Sequence, residues 1–295
     1  MKTMFSKIHV VSLALFVGLE ICSLHVTNNH ITSDYVFFQN FSHKHLHVLQ
    51  IQQPQSTSKS SLPANMQDSE NWAGYIDSPS PTSCYTSVSG SWIVPNISSV
   101  HPNAAAAQWI GLGGSSSADL LQMGTSEEIE NGRSVAEVFW EQLPAPAQTA
   151  MAVPIGSTIN ATISPSANSS LTWNLTFTVN GQSQTQTIPP VTLNSSYAMG
   201  IGTSAEWISE EPSTDNNRLV PLANMGTVSY QSALVNGQAL NSARNQVQPI
   251  ALVSSNGNIL IAPSVLGTDG KSFSTSVIST KSNTRPTKRE VAFKF

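Results

Sequence analysis

Ser170-Leu171-Thr172-Trp173-Asn174-Leu175-Thr176-Phe177-Thr178-Val179 alternates polar and apolar side chains and then meets Asn180-Gly181. A period of two puts Leu171, Trp173, Leu175 and Phe177 on one side of a strand and the polar residues on the other. Asn-Gly accepts the positive φ angles of a type I′ turn, whose twist suits two antiparallel strands. The same dipeptide recurs at Asn131-Gly132, Asn236-Gly237 and Asn256-Gly257, beside other short runs such as 135–142 (Val-Ala-Glu-Val-Phe-Trp-Glu-Gln) and 258–262. Pro95, Pro144, Pro154, Pro165 and Pro189-Pro190 fall mostly between such runs, where a missing N–H costs a sheet nothing. No long apolar rhythm of helical period is present, and no internal repeat. The pattern predicts an all-β domain, a sandwich of two packed antiparallel sheets.

The ends of the chain differ from this body. Lys2 and Lys7 precede an apolar run from Ile8 to about Gly18, the layout of a secretory signal, assigned to residues 1–27. The run is short for a bilayer, which needs about 20 apolar residues, although a retained N-terminal anchor is the alternative. Residues 28–65 carry His30, His43, His45, His47, Lys44 and Lys59 and read as a propeptide or, more plainly, a disordered leader. The body spans 66–276, and 277–295 form a basic tail with Lys281, Arg285, Lys288, Arg289 and Lys294. The expected location is extracellular, with no membrane association once the signal is removed. Cys22 leaves with the signal, so Cys84 is alone and burial must stabilise the fold without a disulfide. Six Asn-X-Ser/Thr sequons fit an exported protein, though a chain rich in Ser, Thr and Asn produces several by chance.

Between Met66 and Ser276 lie fourteen acidic residues and four basic ones. Such a body repels nucleic acid and anionic membranes, which excludes both as partners. It also has few ion pairs for acid to break, and acid unfolds proteins chiefly by protonating paired carboxylates. The composition suits work at low pH, and nothing in it demands more than a monomer.

Several chemistries are excluded by what is missing. Six of the seven histidines precede Val48, leaving His101 alone in the body, in a Pro/Asn-rich loop with no nucleophile elbow near it. One His and one Cys do not make a zinc site. Gly111, Gly113 and Gly114 lack the lysine and trailing glycine of a phosphate loop, and paired Asp-Thr-Gly or Asp-Ser-Gly motifs are absent. No cofactor or metal is expected. Carboxylates and amides remain. Glu137 and Glu141 share one face of a strand but stand about 13 Å apart, too far to be a glycosidase pair by themselves, although either could pair with Glu206.

Five segments then give the reading a family. They are residues 71–75 (Asn-Trp-Ala-Gly-Tyr), 108–114 (Gln-Trp-Ile-Gly-Leu-Gly-Gly), 120–124 (Leu-Leu-Gln-Met-Gly), 139–144 (Phe-Trp-Glu-Gln-Leu-Pro) and 204–208 (Ser-Ala-Glu-Trp-Ile), and a sixth, 219–223 (Leu-Val-Pro-Leu-Ala), follows in order. In this series the body resembles the glutamic peptidases, or eqolisins. The resemblance implies two curved antiparallel sheets of concanavalin-like or jelly-roll type, polypeptide substrates and a site on a concave face. It assigns catalysis to Gln122 and Glu206, and places Trp109, Glu141, Glu137 and Trp72 around them. Gly113 stands where the family's type member has an acidic residue.

The implied mechanism is general acid–base hydrolysis in acid. Glu206 takes a proton from a water that attacks the peptide carbonyl, and passes it to the leaving amine. The Gln122 amide donates to the oxyanion, a contribution of about 3 kcal/mol by analogy with other such donors. Trp109, Trp140 and Trp207 are candidate walls for substrate, or core residues. For Glu206, with Glu210 and Glu211 close behind, the alternative is an ordinary acidic surface. A glycosidase using Glu206 with Glu141 or Glu137, and a non-catalytic binding sandwich, are the rival functions.

Overall fold

A computed structural model describes residues 41–43, 62–184, 188–214, 216, 218–242 and 245–278. The expected signal, most of the leader and the tail beyond 278 lie outside the described residues. The strands follow one another as β1 (Gln67–Ser69), β2 (Trp72–Ser78), β3 (Val88–Ile93), β4 (Ala105–Gly113), β5 (Leu120–Glu130) and β6 (Arg133–Gln142). Next come β7 (Gln148–Ala152), β8 (Thr158–Ser166), β9 (Ser169–Val179), β10 (Gln182–Ser183) and β11 (Val191–Thr192). The short helix α1 (Ser195–Ile201) precedes β12 (Ala205–Glu210) and β13 (Thr227–Val235). The last four are β14 (Gln238–Ala239), β15 (Gln246–Val253), β16 (Ile259–Pro263) and β17 (Phe273–Val277).

The chain folds as a β-sandwich, as its alternation predicts. One sheet runs β7-β6-β5-β4-β12-β2-β15 and continues through β16 and β17, all antiparallel. β1 pairs in parallel against β15. The other sheet runs β9-β8-β3-β13-β14, with β10 and β11 on the far side of β9. Three of the Asn-Gly pairs, Asn131-Gly132, Asn180-Gly181 and Asn236-Gly237, have positive φ at both residues and close the β5–β6, β9–β10 and β13–β14 hairpins. At Asn256-Gly257 only the glycine is left-handed.

β13 belongs to both sheets. Thr227–Tyr230 pair with β17, whereas Gln231–Val235 pair with β3, and the register shifts between Gln231 and Leu234. Ser232 sits at the break with φ 53°. A bulge with one left-handed residue bends a strand enough to cross from one layer to the next.

Between the layers, Tyr75, Ile110, Met123 and Trp207 of the first sheet pack against Val88, Trp92, Ile163 and Phe177 of the second. Strand alternation then sends their neighbours to the opposite face of the first sheet. There Trp72, Trp109, Leu120, Phe139 and Ile208 form a second apolar cluster. Gln122, Glu137, Glu141, Glu206 and Glu210 share that face by parity, and every one of them is buried.

Candidate active site

Strand register builds the centre of this face. Gln122 of β5 is opposite Glu141 of β6 on one side and Gly111 of β4 on the other. Gln122 Nε2 donates to Glu141 Oε2 at 2.7 Å. Burial pushes the Glu141 carboxyl up to about 7; a nearby Glu210 charge adds to the rise, while His43 and the Gln122 amide oppose it.

Glu210, at the end of β12, is the most richly bonded carboxyl of the face. Trp109 Nε1 donates to its Oε2 at 2.7 Å and Asn71 Nδ2 to its Oε1 at 3.0 Å. Trp72 stands edge-on to Trp109, with ring centres 4.7 Å apart, and supports the same carboxyl. Trp109 lies across the sheet because its opposite number is Gly124, where a Cβ would collide with the Trp109 side chain and the Gln108 carbonyl. Burial raises the Glu210 carboxyl well above its ordinary range, and the Trp109, Trp72 and Asn71 donors act against that rise. Donors aimed at a carboxylate favour its charged form, so the group is built to ionise once water reaches it.

One residue far upstream joins these groups. The His43 N–H donates to Glu141 Oε2 at 3.3 Å, and its carbonyl accepts from Gln122 Nε2 at 3.5 Å. Its ring stacks on Phe139 at 4.0 Å, and Nδ1 lies 2.9 Å from Glu210 Oε2. His43 is thus a molecular ruler: Gln122, Glu141 and Glu210 are all within reach of a single amino acid. Burial lowers its ring to about 4, with the Glu141 charge opposing the fall. Burial disfavours the charged form of both partners, so the contact joins two neutral groups, with the direction of donation set by the tautomer of the ring.

Glu206 is placed differently. It lies across Gly111 from Gln122 in the same row of β12, β4 and β5. Yet the lane over Gly111 is filled: Leu120 Cδ1 and Trp109 Cζ3 each lie 3.0 Å from where a Cβ would stand. Both Glu206 oxygens are buried without a hydrogen-bond partner. Burial raises this carboxyl well above its ordinary range; the Ser204 hydroxyl moderates the rise and the Asp77 charge adds to it. The expected Gln122–Glu206 pairing is therefore not expressed as a contact. The acidic-surface alternative fails for Glu206 and Glu210 alike, both 0 % exposed.

The remaining candidates divide in the same way. Glu137 borders the cavity beside His43 and Phe41, its carboxyl pushed by burial to about 7 against a Thr149 hydrogen bond. Gly113 has φ 85°, and a Cβ there would strike the Asp119 carbonyl, with Ile201 Cα at 2.8 Å, so no acidic side chain fits that backbone. Trp207 turns inward and donates to the Ser89 carbonyl at 2.8 Å, and Trp140 packs on the same interior, so neither walls the site. Among the described residues no group of three or more His, Cys, Asp or Glu is disposed to hold a metal ion. Sequence reasoning missed Glu210, Phe139 and His43 as site residues. Glu210 had a usable signal, since it lies an even four residues from Glu206 and so shares its face.

Comparison with known proteins agrees with this architecture. The model of the peptidase A4 family matches residues 70–275. The crystal structure of scytalido-glutamic peptidase with a transition state analog inhibitor aligns at TM-score 0.55 and 22 % identity, covering 71 % of this chain and 98 % of that one. The structure of SCP-B, a member of the eqolisin family of peptidases in complex with the tripeptide Ala-Ile-His, aligns at 0.51 and 23 %, covering the same shares. Among curated proteins no sequence relative matches. No helix among the described residues is long and apolar enough to cross a membrane.

Proposed function

Since the chain belongs to the peptidase A4 family and is a glutamic-type peptidase, a hydrolase of peptide bonds, we propose that Gln122 and Glu210 are the pair that acts on the substrate. The observation that carries the choice of carboxyl is the His43 bridge. One residue touches Gln122 and Glu141 through its backbone and Glu210 through its ring, whereas Leu120 and Trp109 stand between Gln122 and Glu206. An extended peptide laid along the path of residues 41–43 would put a carbonyl at the Gln122 amide and leave Glu210 beside it. That SCP-B holds a tripeptide agrees with such a cleft.

In the proposed reaction Glu210, as carboxylate, accepts a proton from a water standing where the His43 imidazole now lies. The water oxygen bonds to the peptide carbonyl carbon, and the Gln122 Nε2–H donates to the oxyanion. Glu210 returns the proton to the amide nitrogen as the C–N bond breaks, giving an acid and an amine. Glu141 holds the Gln122 side chain so that its N–H, rather than its carbonyl, meets the oxyanion. Trp109 and Asn71 keep Glu210 ionisable in a cleft that would otherwise hold its proton too tightly. We include in the proposal operation in acid, where a carboxyl base is matched to its medium and imidazole is fully protonated. Export through the expected signal and a monomeric state complete it.

The test is to replace Glu210 by Gln and Gln122 by Ala in turn and measure hydrolysis of a denatured protein substrate at about pH 4. Glu210→Gln is expected to lower turnover by about a thousandfold or more and Gln122→Ala by about a hundredfold to a thousandfold, while circular dichroism stays unchanged. Full activity in Glu210→Gln would return the role to Glu206, and full activity in Gln122→Ala would end the amide's part.

A further inference from the structure

Three consecutive residues of the leader, outside the span of the family domain, sit in the cleft, and each makes a different kind of contact. Phe41 is buried with Ala105 and Val220. Ser42 pairs antiparallel with Ser213: its N–H donates to the Ser213 carbonyl at 2.7 Å, and its carbonyl accepts from the Ser213 N–H and Oγ, both at 3.1 Å. That is strand addition, the way extended peptides dock on sheet proteins, with main-chain bonds for affinity and alternate side chains for selectivity. His43 then engages Gln122, Glu141, Glu210 and the face of Phe139 at once, and is 1 % exposed.

We propose that the segment Phe41–Ser42–His43 is a built-in inhibitor that occupies the peptidase cleft as a substrate strand would, with the His43 imidazole seated in the place of the hydrolytic water. This rests on the assignment of Gln122 and Glu210. The segment is bound but unreactive for a chemical reason. Its carbonyl already meets the Gln122 amide, as a scissile carbonyl would. The Glu210 oxygen that must accept the water's proton is held by Nδ1 instead, and the ring fills the space between Phe139 and Glu210 that a water would need. With no base and no nucleophile at the His43 carbonyl, the bond to Lys44 survives. The contacts also name what the cleft selects: a large apolar side chain at the Ala105–Val220 end, and a flat ring two residues later against Phe139.

The experiment compares full chains. Initial rates on a quenched-fluorescent peptide are taken before any shortening of the chain is visible on a gel, for the unaltered protein, His43→Ala, and Ser42→Pro, which deletes the N–H donated to Ser213. Relief of inhibition is expected to raise the initial rate about tenfold or more in both variants, the equivalent of one lost hydrogen bond. A synthetic peptide of residues 38–46 added to the His43→Ala chain should inhibit competitively. The same peptide with Ala at position 43 should be about tenfold weaker. Equal rates in all three chains, with turnover still dependent on Gln122, would overturn the inhibitor and leave the active site standing. Peptide binding seen as quenching of tryptophan fluorescence, with no Gln122-dependent hydrolysis in any chain, would instead overturn the site assignment on which the proposal rests. If His43→Ala fails to fold, Ser42→Pro and the added peptide decide the question.

Discussion

Glu206 and Glu210 are two glutamates on one face of one strand, both fully buried, and their surroundings have nothing else in common. Around Glu210, indole and amide donors converge on the carboxyl, and an imidazole covers it. Around Glu206, the Ser204 hydroxyl alone moderates the burial, neither oxygen has a partner at hydrogen-bond distance, and Leu120 and Trp109 close the approach from Gln122. About 13 Å of strand separates them. A buried carboxyl without donors is held neutral by desolvation. One surrounded by donors can be switched between charged and neutral states, which is what a general base that later becomes a general acid requires.

The sharpest way to break this contrast is to exchange each carboxyl for its isosteric amide. Glu210→Gln should lower turnover by about a thousandfold or more, because base and acid are lost together, while Glu206→Gln should stay within about threefold. Equal losses would erase the distinction. Gln122→Ala comes next, at about a hundredfold to a thousandfold, the range for removing one oxyanion donor, and it should fall mainly on kcat rather than KM. Trp109→Phe keeps the ring but removes the N–H on Glu210 Oε2. Losing a donor to the charged form raises a carboxyl's pKa, so the acid limb of the kcat/KM profile should move to higher pH, with about a tenfold loss below it. An unmoved limb would mean that Trp109 serves packing alone.

How much of this was legible in the sequence follows the range of the interactions. The Asn-Gly hairpins are local, and three of the four show the left-handed pair that the dipeptide favours. The change of sheet along β13 was not legible, since a Ser at φ 53° carries no signal and the bend exists only because two separate partners claim the two halves of the strand. Gln122 was legible as part of an ordered series of segments. The difference between Glu206 and Glu210 was not, because parity puts both on one face and only contacts from other strands distinguish their surroundings. His43 lies 98 residues from Glu141, so no local pattern could join them.

The acidic body also reads differently once it is folded. Scarcity of ion pairs would leave acid little to break, and the buried carboxyls go further. Burial raises Glu137, Glu141 and Glu211 to about 7, and Glu127, Glu206 and Glu210 well above their ordinary range. A carboxyl whose folded pKa exceeds its unfolded value binds its proton more tightly when folded. Its contribution to stability is complete below about pH 4.5 and is lost as the pH climbs through about 7. The melting temperature should therefore be highest in acid and fall steadily toward neutrality, by about 10 °C or more when several such groups act together. A flat profile from pH 4 to 8, checked by calorimetry, would mean that water hydrates these carboxyls in the folded chain.

Glu206→Gln refines that expectation and is the smallest effect of the set. At about pH 4 the native carboxyl is already protonated, so an amide of equal shape should leave the melting temperature within about 1 °C. At about pH 8 the unfolded chain gains stability by ionising Glu206, whereas the folded chain cannot match it without leaving a charge in a lane sealed by Leu120 and Trp109. The amide removes that penalty, and the variant should melt about 3 to 6 °C above the unaltered protein there. The corresponding change at Glu210 should give a smaller gain, because Trp109 and Asn71 already offset part of the burial of its charge. If Glu206→Gln instead destabilised the fold at pH 8 as much as at pH 4, the carboxyl would have to be ionised and solvated in place, and Glu206 would return as a candidate for the base.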